Sequence, residues 1–177
     1  MAKHIVLIGF KHVGKSVIAK ELARVKHLQC IDLDKAIERS YLTPKGKHLT
    51  CSQLMKKHGE AAFRQRETLV LSQVLQLPQP CVIATGGGTP LAEANQALLK
   101  TQQVVYIIAP RQLVFERIMR KGKPAFFPDD EDPWLAFNRF WEQREPIYRS
   151  LATITVENHG KLADTVEQIL LQLTQSS

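Results

Sequence analysis

A glycine-bracketed run, Gly9-Phe10-Lys11-His12-Val13-Gly14-Lys15-Ser16, constrains this chain more than any other stretch of it. Its pattern is G-x-x-x-x-G-K-S. Four apolar residues precede it, Ile5-Val6-Leu7-Ile8, as expected of a strand covered on both faces of a parallel sheet. Val17, Ile18, Leu22 and Ala23 follow at the spacing of one helix face. Strand, glycine turn and helix start in that order make a cradle for phosphate. Backbone N–H groups can approach an anion there, and the helix N-terminus adds partial positive charge. A lysine at position 15 can reach β- and γ-phosphates, and the Ser16 hydroxyl can ligate Mg²⁺. Gly9, Val13, Gly14, Lys15, Ser16 and Val17 are therefore the expected nucleotide contacts. Lys11 and His12 are bulky for the middle of such a loop. They either face solvent or crowd the phosphates.

The rest of the chain supports the fold this motif needs. Short apolar segments at 4–8, 30–33, 81–85, 104–109 and 153–156 read as strands. They alternate with helical patterns at 16–25, 60–75, 91–100, 111–120, 133–148 and 161–173. Alternation of this kind predicts an α/β fold with a mostly parallel sheet covered on both faces. Ligands of such sheets bind beyond the carboxyl ends of the strands, where the motifs described below also fall. At 177 residues the chain is expected to form one domain. Two stretches break the pattern, a polar loop at 41–50 and a Pro- and acid-rich segment at 121–133 that suits a mobile lid.

Composition narrows the partners. No apolar run has the length of a membrane span, and Met-Ala-Lys-His leads directly into a strand without a signal-peptide pattern. Cys30, Cys51 and Cys81 include no C-x-x-C pair, which favours a reducing cytoplasm over disulfides or zinc. The formal charge of +7 suits either a polyanion or small anionic substrates. The basic residues form no stripe interleaved with aromatics, so nucleic acid is not the expected partner.

Several residues beyond the loop could complete a second site. Asp32 and Asp34 flank Leu33 after a predicted strand. One could hold Mg²⁺ through water, and the other could accept a proton from a hydroxyl. Alternatively they cap and decorate a helix start. Gly86-Gly87-Gly88 ends another strand and permits close backbone approach to a ligand, or is a plain turn. Arg64 could fork onto a carboxylate, or belong to a surface ion-pair face with its neighbours. Arg144, near a predicted helix end, has the same two readings.

Taken in order, these signals resemble the shikimate kinase family over nearly the whole chain. The matching elements are the phosphate loop, Asp32-Leu33-Asp34 with the continuation to Ile37-Glu38, and Gly59-Glu60 through Phe63-Arg64 to Glu67. They continue with Gly86 to Gly88, Lys123-Pro124, and Arg144 through Pro146 and Tyr148 to Ala152. The resemblance implies a three-layer P-loop kinase fold, like the nucleoside monophosphate kinases, with a central five-stranded parallel sheet in the order 2-3-1-4-5. It implies an acceptor-binding region at about 35–70 and a lid at about 117–133. It implies Mg²⁺-dependent phosphoryl transfer from ATP to the 3-hydroxyl of shikimate, on the route to aromatic amino acids, by a cytoplasmic monomer.

By the same resemblance Asp34, Arg64, Gly86, Gly87, Gly88 and Arg144 bind the acceptor. Lys15, Asp34 and Lys123 are catalytic, Ser16 and Asp32 lie at the metal, and Arg117 and Lys123 contact nucleotide. The chain departs from the family pattern in its lid, where Lys123-Pro124-Ala125-Phe126 replaces Arg-Pro and two leucines. Met55 replaces a usual phenylalanine, and His12 a small residue. Two other readings remain: a related kinase for another polyol carboxylate such as gluconate, and a nucleotide-binding module without catalysis.

Overall fold

The central apolar runs become strands because both of their faces must be covered. In the computed structural model, which describes residues 3–41, 49–120, 122–123 and 127–175, β1 (Ile5–Ile8) and β3 (Cys81–Ala84) are buried along their whole length. β4 (Gln103–Ile108) is buried at its four central residues. β2 (Gln29–Asp32) and β5 (Ile154–Glu157) form the edges. β5 shows an edge strand's alternation, with Ile154 and Val156 buried and Thr155 and Glu157 exposed. All pairings are parallel, and the order is β2-β3-β1-β4-β5, as the resemblance implied.

Parallel strands need crossovers, and helices supply them. α1 (Lys15–Val25) packs on β2 and β3 and against α8 (Leu162–Gln175). α8 also covers β5. α4 (Glu60–Leu75), α5 (Glu93–Leu99), α6 (Arg111–Met119) and α7 (Pro133–Leu151) complete the layers, and α7 reaches β4. The core is continuous from Ile5 to Leu173.

Two helices were absent from the sequence reading, α2 (Leu33–Ser40) and α3 (Cys51–His58). α2 begins at the residue after β2, with no turn between them to announce it. Asp32 ends the strand and caps the helix, its carboxylate accepting from the Lys35 N–H at 3.1 Å. α3 did carry a signal. Thr50 and Gln53 form a capping box, with Gln53 N–H donating to Thr50 Oγ1 and Thr50 N–H donating to Gln53 Oε1. The helix expected at 91–100 divides into a 3₁₀ turn, Thr89–Leu91, and α5. α7 runs on to Leu151, past its expected end. Most of the polar loop at 41–50 and lid residues Lys121, Pro124, Ala125 and Phe126 lie outside the described residues.

Candidate active site

The loops after β1, β2 and β3 meet at one end of the sheet. There they line a cavity of about 670 Å³ with Lys11, His12, Gly14, Lys15, Ser16, Val17, Asp34, Thr85, Gly86, Gly87, Arg117 and Arg120. Phe10 anchors the phosphate loop from beneath. Its ring stacks on Trp141 at 4.3 Å and meets Tyr148 edge-on at 5.4 Å, tying the loop to α7. Lys11 is exposed yet lines the cavity, and His12 adopts left-handed backbone at φ 66°. Arg117 Nη1 donates to the His12 carbonyl at 3.1 Å, which connects α6 to the loop.

Lys15 is 7% exposed and folds back over its own loop, donating to the Gly9 and Phe10 carbonyls at 2.9 and 2.7 Å. Burial lowers its pKa from 10.5 to about 8, while Asp34 and Asp32 pull in the opposite direction. A buried ammonium held by two neutral carbonyls is poised to gain from an anion placed beside it. Ser16 Oγ donates to Asp32 Oδ2 at 3.1 Å, and the other Asp32 oxygen is occupied as the α2 cap. Among the described residues no group of three or more His, Cys, Asp or Glu side chains could hold a metal. The Ser16–Asp32 pair fits Mg²⁺, which takes one or two protein ligands and completes its shell with phosphate and water.

Asp34 sits in the first turn of α2. Burial raises its carboxyl pKa above the ordinary value, Asp32 adds to the rise, and Lys15 opposes it. A raised carboxylate is a stronger base than a free one. Asp32 caps α2 through one oxygen while its other oxygen accepts from Ser16, and half-buried Asp34 lines the cavity.

The glycine run passes close to two of these side chains. A Cβ at Gly86 would fall 2.7 Å from Asp34 Oδ1, and one at Gly88 would fall 2.6 Å from Arg64 Nη2. Arg64 lies 3.7 Å from exposed Glu60 on its own helix, and its closer partner is buried. Its Nη1 donates to Glu67 at 2.8 Å, and Glu67 is only 2% exposed. The second Glu67 oxygen accepts from Thr89 Oγ1 at 2.8 Å, so the carboxylate is held at both ends and fixes the guanidinium. Tyr148 Oη donates to the Gly87 carbonyl at 2.6 Å. Burial pushes the Tyr148 hydroxyl up to about 12, against the pull of positive Arg144 and Arg64 beside it. Arg144 also lies over the Phe140 ring at 5.2 Å. Of these residues Asp34, Gly86 and Gly87 line the cavity, Arg64 lies against Gly88, and Arg144 and Arg64 lie beside Tyr148.

Lys123 does not join them. Its Nζ donates to the Pro128 carbonyl at 2.6 Å and lies 3.6 Å from Asp129. Three of the four lid acids are engaged outside the cavity lining, Asp129 by Lys123 and the other two by α7. Glu131 pairs with Arg139 at 2.6 Å, and Asp132 caps α7. Arg117 and Arg120 are the lid-side cations at the cavity wall. Arg117→Ala is therefore expected to lower kcat/KM for ATP roughly tenfold or more, the loss of one charged hydrogen-bond partner. Lys123→Ala, which breaks an exposed pair of small worth, should cost less. Steady-state kinetics of the two variants decide which cation serves the nucleotide.

The sequence does not single out Glu67 as buried, nor Thr89 as its partner or Trp141 as the support of Phe10. Glu67 lies within the G-E-x-x-F-R-x-x-E spacing, which was its signal. The others carry none in a single sequence.

Comparison with known proteins agrees with this geometry. A family model described as shikimate kinase matches residues 11–174. A shikimate kinase of Francisella tularensis subsp. holarctica is 36% identical over 97% of this chain and 93% of its own length. The structure of a shikimate kinase from Acinetobacter baumannii in complex with shikimate is 31% identical, with a TM-score of 0.83 over 99% of this chain and 94% of that one. A gluconokinase from Sinorhizobium meliloti aligns with a TM-score of 0.65 over 98% of this chain and 92% of that one, but at 16% identity it shares the fold alone. On the match of the family model and the identity to full-length relatives, this chain belongs to the shikimate kinase family.

Proposed function

We propose that this chain transfers the γ-phosphate of ATP to the 3-hydroxyl of shikimate. The observation that carries the reading is the position of Asp34. Its carboxylate lines the same cavity as Lys15 and Ser16 and lies against the glycine run that leads to Arg64. A hydroxyl held at Asp34 would face a phosphate held at Lys15. The relative from Acinetobacter baumannii, solved with shikimate, supports the choice of acceptor.

In this reading the phosphate loop binds the triphosphate, and Lys15 leaves the Gly9 and Phe10 carbonyls for phosphate oxygens. Ser16 and, through water, Asp32 would hold Mg²⁺, which would supply charge neutralisation to the phosphates. Arg64 and Arg144 fork onto the acceptor carboxylate, with Arg64 steadied by Glu67. Asp34 orients the acceptor hydroxyl and takes its proton as the oxygen attacks phosphorus. The γ-phosphoryl group passes to the acceptor oxygen as ADP departs, so one P–O bond forms and one breaks. Catalysis of this kind rests on positioning and charge, with little covalent work by the protein. The acceptor region spans about 35–70 and the lid about 117–133 within one domain. The enzyme works as a cytoplasmic monomer. Among the described residues no helix is long and apolar enough to cross a membrane.

Titration of each ligand tests the acceptor pocket. Arg64→Lys and Arg144→Lys should each weaken shikimate by about 1.5–3 kcal/mol, or roughly tenfold to a hundredfold, because an ammonium cannot reproduce a two-pronged contact. ATP affinity should stay within about twofold, a difference of only a few tenths of a kcal/mol. Equal weakening of both ligands would show that the two arginines do not define a separate acceptor pocket.

A further inference from the structure

We propose that Asn158 is a positioning residue for nucleotide binding, whose amide orients the Val13–Gly14 peptide so that the Gly14 N–H faces the phosphates. The inference rests on the phosphate-loop reading above and adds a residue 142 positions beyond Ser16 in the sequence.

Asn158 directly follows β5 and is 8% exposed. Its backbone N–H donates to the Ile108 carbonyl at 2.7 Å, which carries the β4–β5 pairing one step further. Both ends of its side chain are engaged. Oδ1 accepts from the Gly160 N–H at 3.0 Å and from Thr165 Oγ1 at 3.3 Å. Nδ2 donates to the Val13 carbonyl at 2.8 Å. The Thr165 hydroxyl shares its one proton with the Lys161 carbonyl at 3.1 Å, but the Gly160 N–H donor on Oδ1 fixes the amide orientation, and Nδ2 must face Val13. A buried amide used at both ends is costly to rearrange.

The consequence for the loop follows from peptide geometry. Carbonyl and N–H point in opposite directions across a planar trans peptide, and the described residues contain no cis bond. Pinning the Val13 oxygen toward Asn158 therefore turns the Gly14 N–H away from Asn158. Gly14 lines the cavity together with Lys15 and Ser16, so the N–H turns toward the bound anion. Gly14 also makes room for the contact. Its φ is 102°, and a Cβ there would fall 2.7 Å from Asn158 Nδ2. The loop's other carbonyls are held from different directions, Gly9 and Phe10 by Lys15 and His12 by Arg117. Lys15 must release its two when phosphate binds, whereas Asn158 lies on the far side of the peptide and can stay. The C-terminal segment after β5 thereby sets the geometry of the N-terminal loop.

The test uses the full-length enzyme with ATP and ADP as probes. Asn158→Ala should raise the Kd for both nucleotides about tenfold or more, the loss of one well-aligned hydrogen bond to a charged group. The Kd for shikimate should stay within about twofold, since Asn158 touches no acceptor residue. Asn158→Asp keeps the Oδ1 contacts and loses the donor, so it should show the same selectivity. Thr165→Val loosens the other end of the amide and leaves the Val13 contact, and its nucleotide Kd should match the parent enzyme. Unchanged nucleotide affinity in a folded Asn158 variant would overturn the proposal. So would equal weakening of nucleotide and shikimate, or failure of both Asn158 variants to fold, either of which would make Asn158 a structural residue only. Lys15→Ala separates this inference from the reading beneath it. If Lys15→Ala loses turnover while the Asn158 variants bind nucleotide normally, the phosphate loop stands and the Asn158 proposal alone fails.

Discussion

Lys15→Ala should reduce kcat/KM for ATP by roughly a hundredfold to a thousandfold, the usual cost of removing one preorganised charge that acts in the transition state. Its effect on folding should be small. The substitution leaves the Gly9 and Phe10 carbonyls without their donor, which costs about 1–3 kcal/mol where such groups are buried. It also removes a buried ammonium whose pKa has fallen from 10.5 to about 8, a desolvation penalty also on the order of a few kcal/mol. The two effects oppose each other, so the melting temperature should move by only a few degrees. The pH dependence follows from the same shift. Between about pH 8 and 10.5 the unfolded chain holds the proton that folded Lys15 has lost, so the stability of the ligand-free enzyme rises with pH across that window. Lys15→Ala should flatten that rise. In the kinetics, kcat/KM for ATP should fall above about pH 8, where the free enzyme loses the charge. Thermal melts at pH 7 and 9 and a pH–rate profile check both statements. A folded Lys15→Ala enzyme with near-normal turnover would contradict the role given to the loop.

Asp34→Asn should lower kcat by about a hundredfold to ten thousandfold, the range associated with loss of a positioned general base. Shikimate should still bind, because an amide can accept one hydrogen bond from the hydroxyl. The loss should therefore appear in kcat more than in KM. Burial raises the Asp34 pKa, so the acid limb of the parent enzyme's profile should lie above the range of an ordinary carboxylate. That limb should disappear from the residual activity of Asp34→Asn. Stability should not fall, since an isosteric neutral group replaces a desolvated carboxylate. An unchanged kcat would remove Asp34 from proton transfer and leave it an orienting group.

Local chemistry decided which features could be read from the sequence. The strands were legible because a parallel sheet covered on both faces demands unbroken apolar runs, as in Ile5–Ile8 and Cys81–Ala84. The phosphate loop was legible because its constraint is contiguous. α2 was hidden because Asp32 serves at once as strand end and helix cap, leaving no break to read. Arg64 was ambiguous because its neighbours suggest a charged surface, whereas its partner Glu67 is buried by contacts with distant Thr89. Lys123 matched a motif position, but the Pro128 carbonyl and Asp129 hold it away from the cavity. Asn158 has a polar side chain after a short strand, which describes many loop residues. Its contact with Val13 exists only because β5 lies beside β4 and brings the chain end to the loop.

The central claim is that one cavity joins an ATP phosphate to the shikimate 3-hydroxyl. Incubation of the enzyme with ATP, Mg²⁺ and either shikimate or gluconate, with ADP release followed and the product identified by phosphorus NMR, tests it most directly. Turnover on shikimate is expected, with the new phosphate on the 3-hydroxyl, and no comparable turnover on gluconate. ATP binding without phosphorylation of shikimate, or phosphorylation of gluconate in its place, would contradict it.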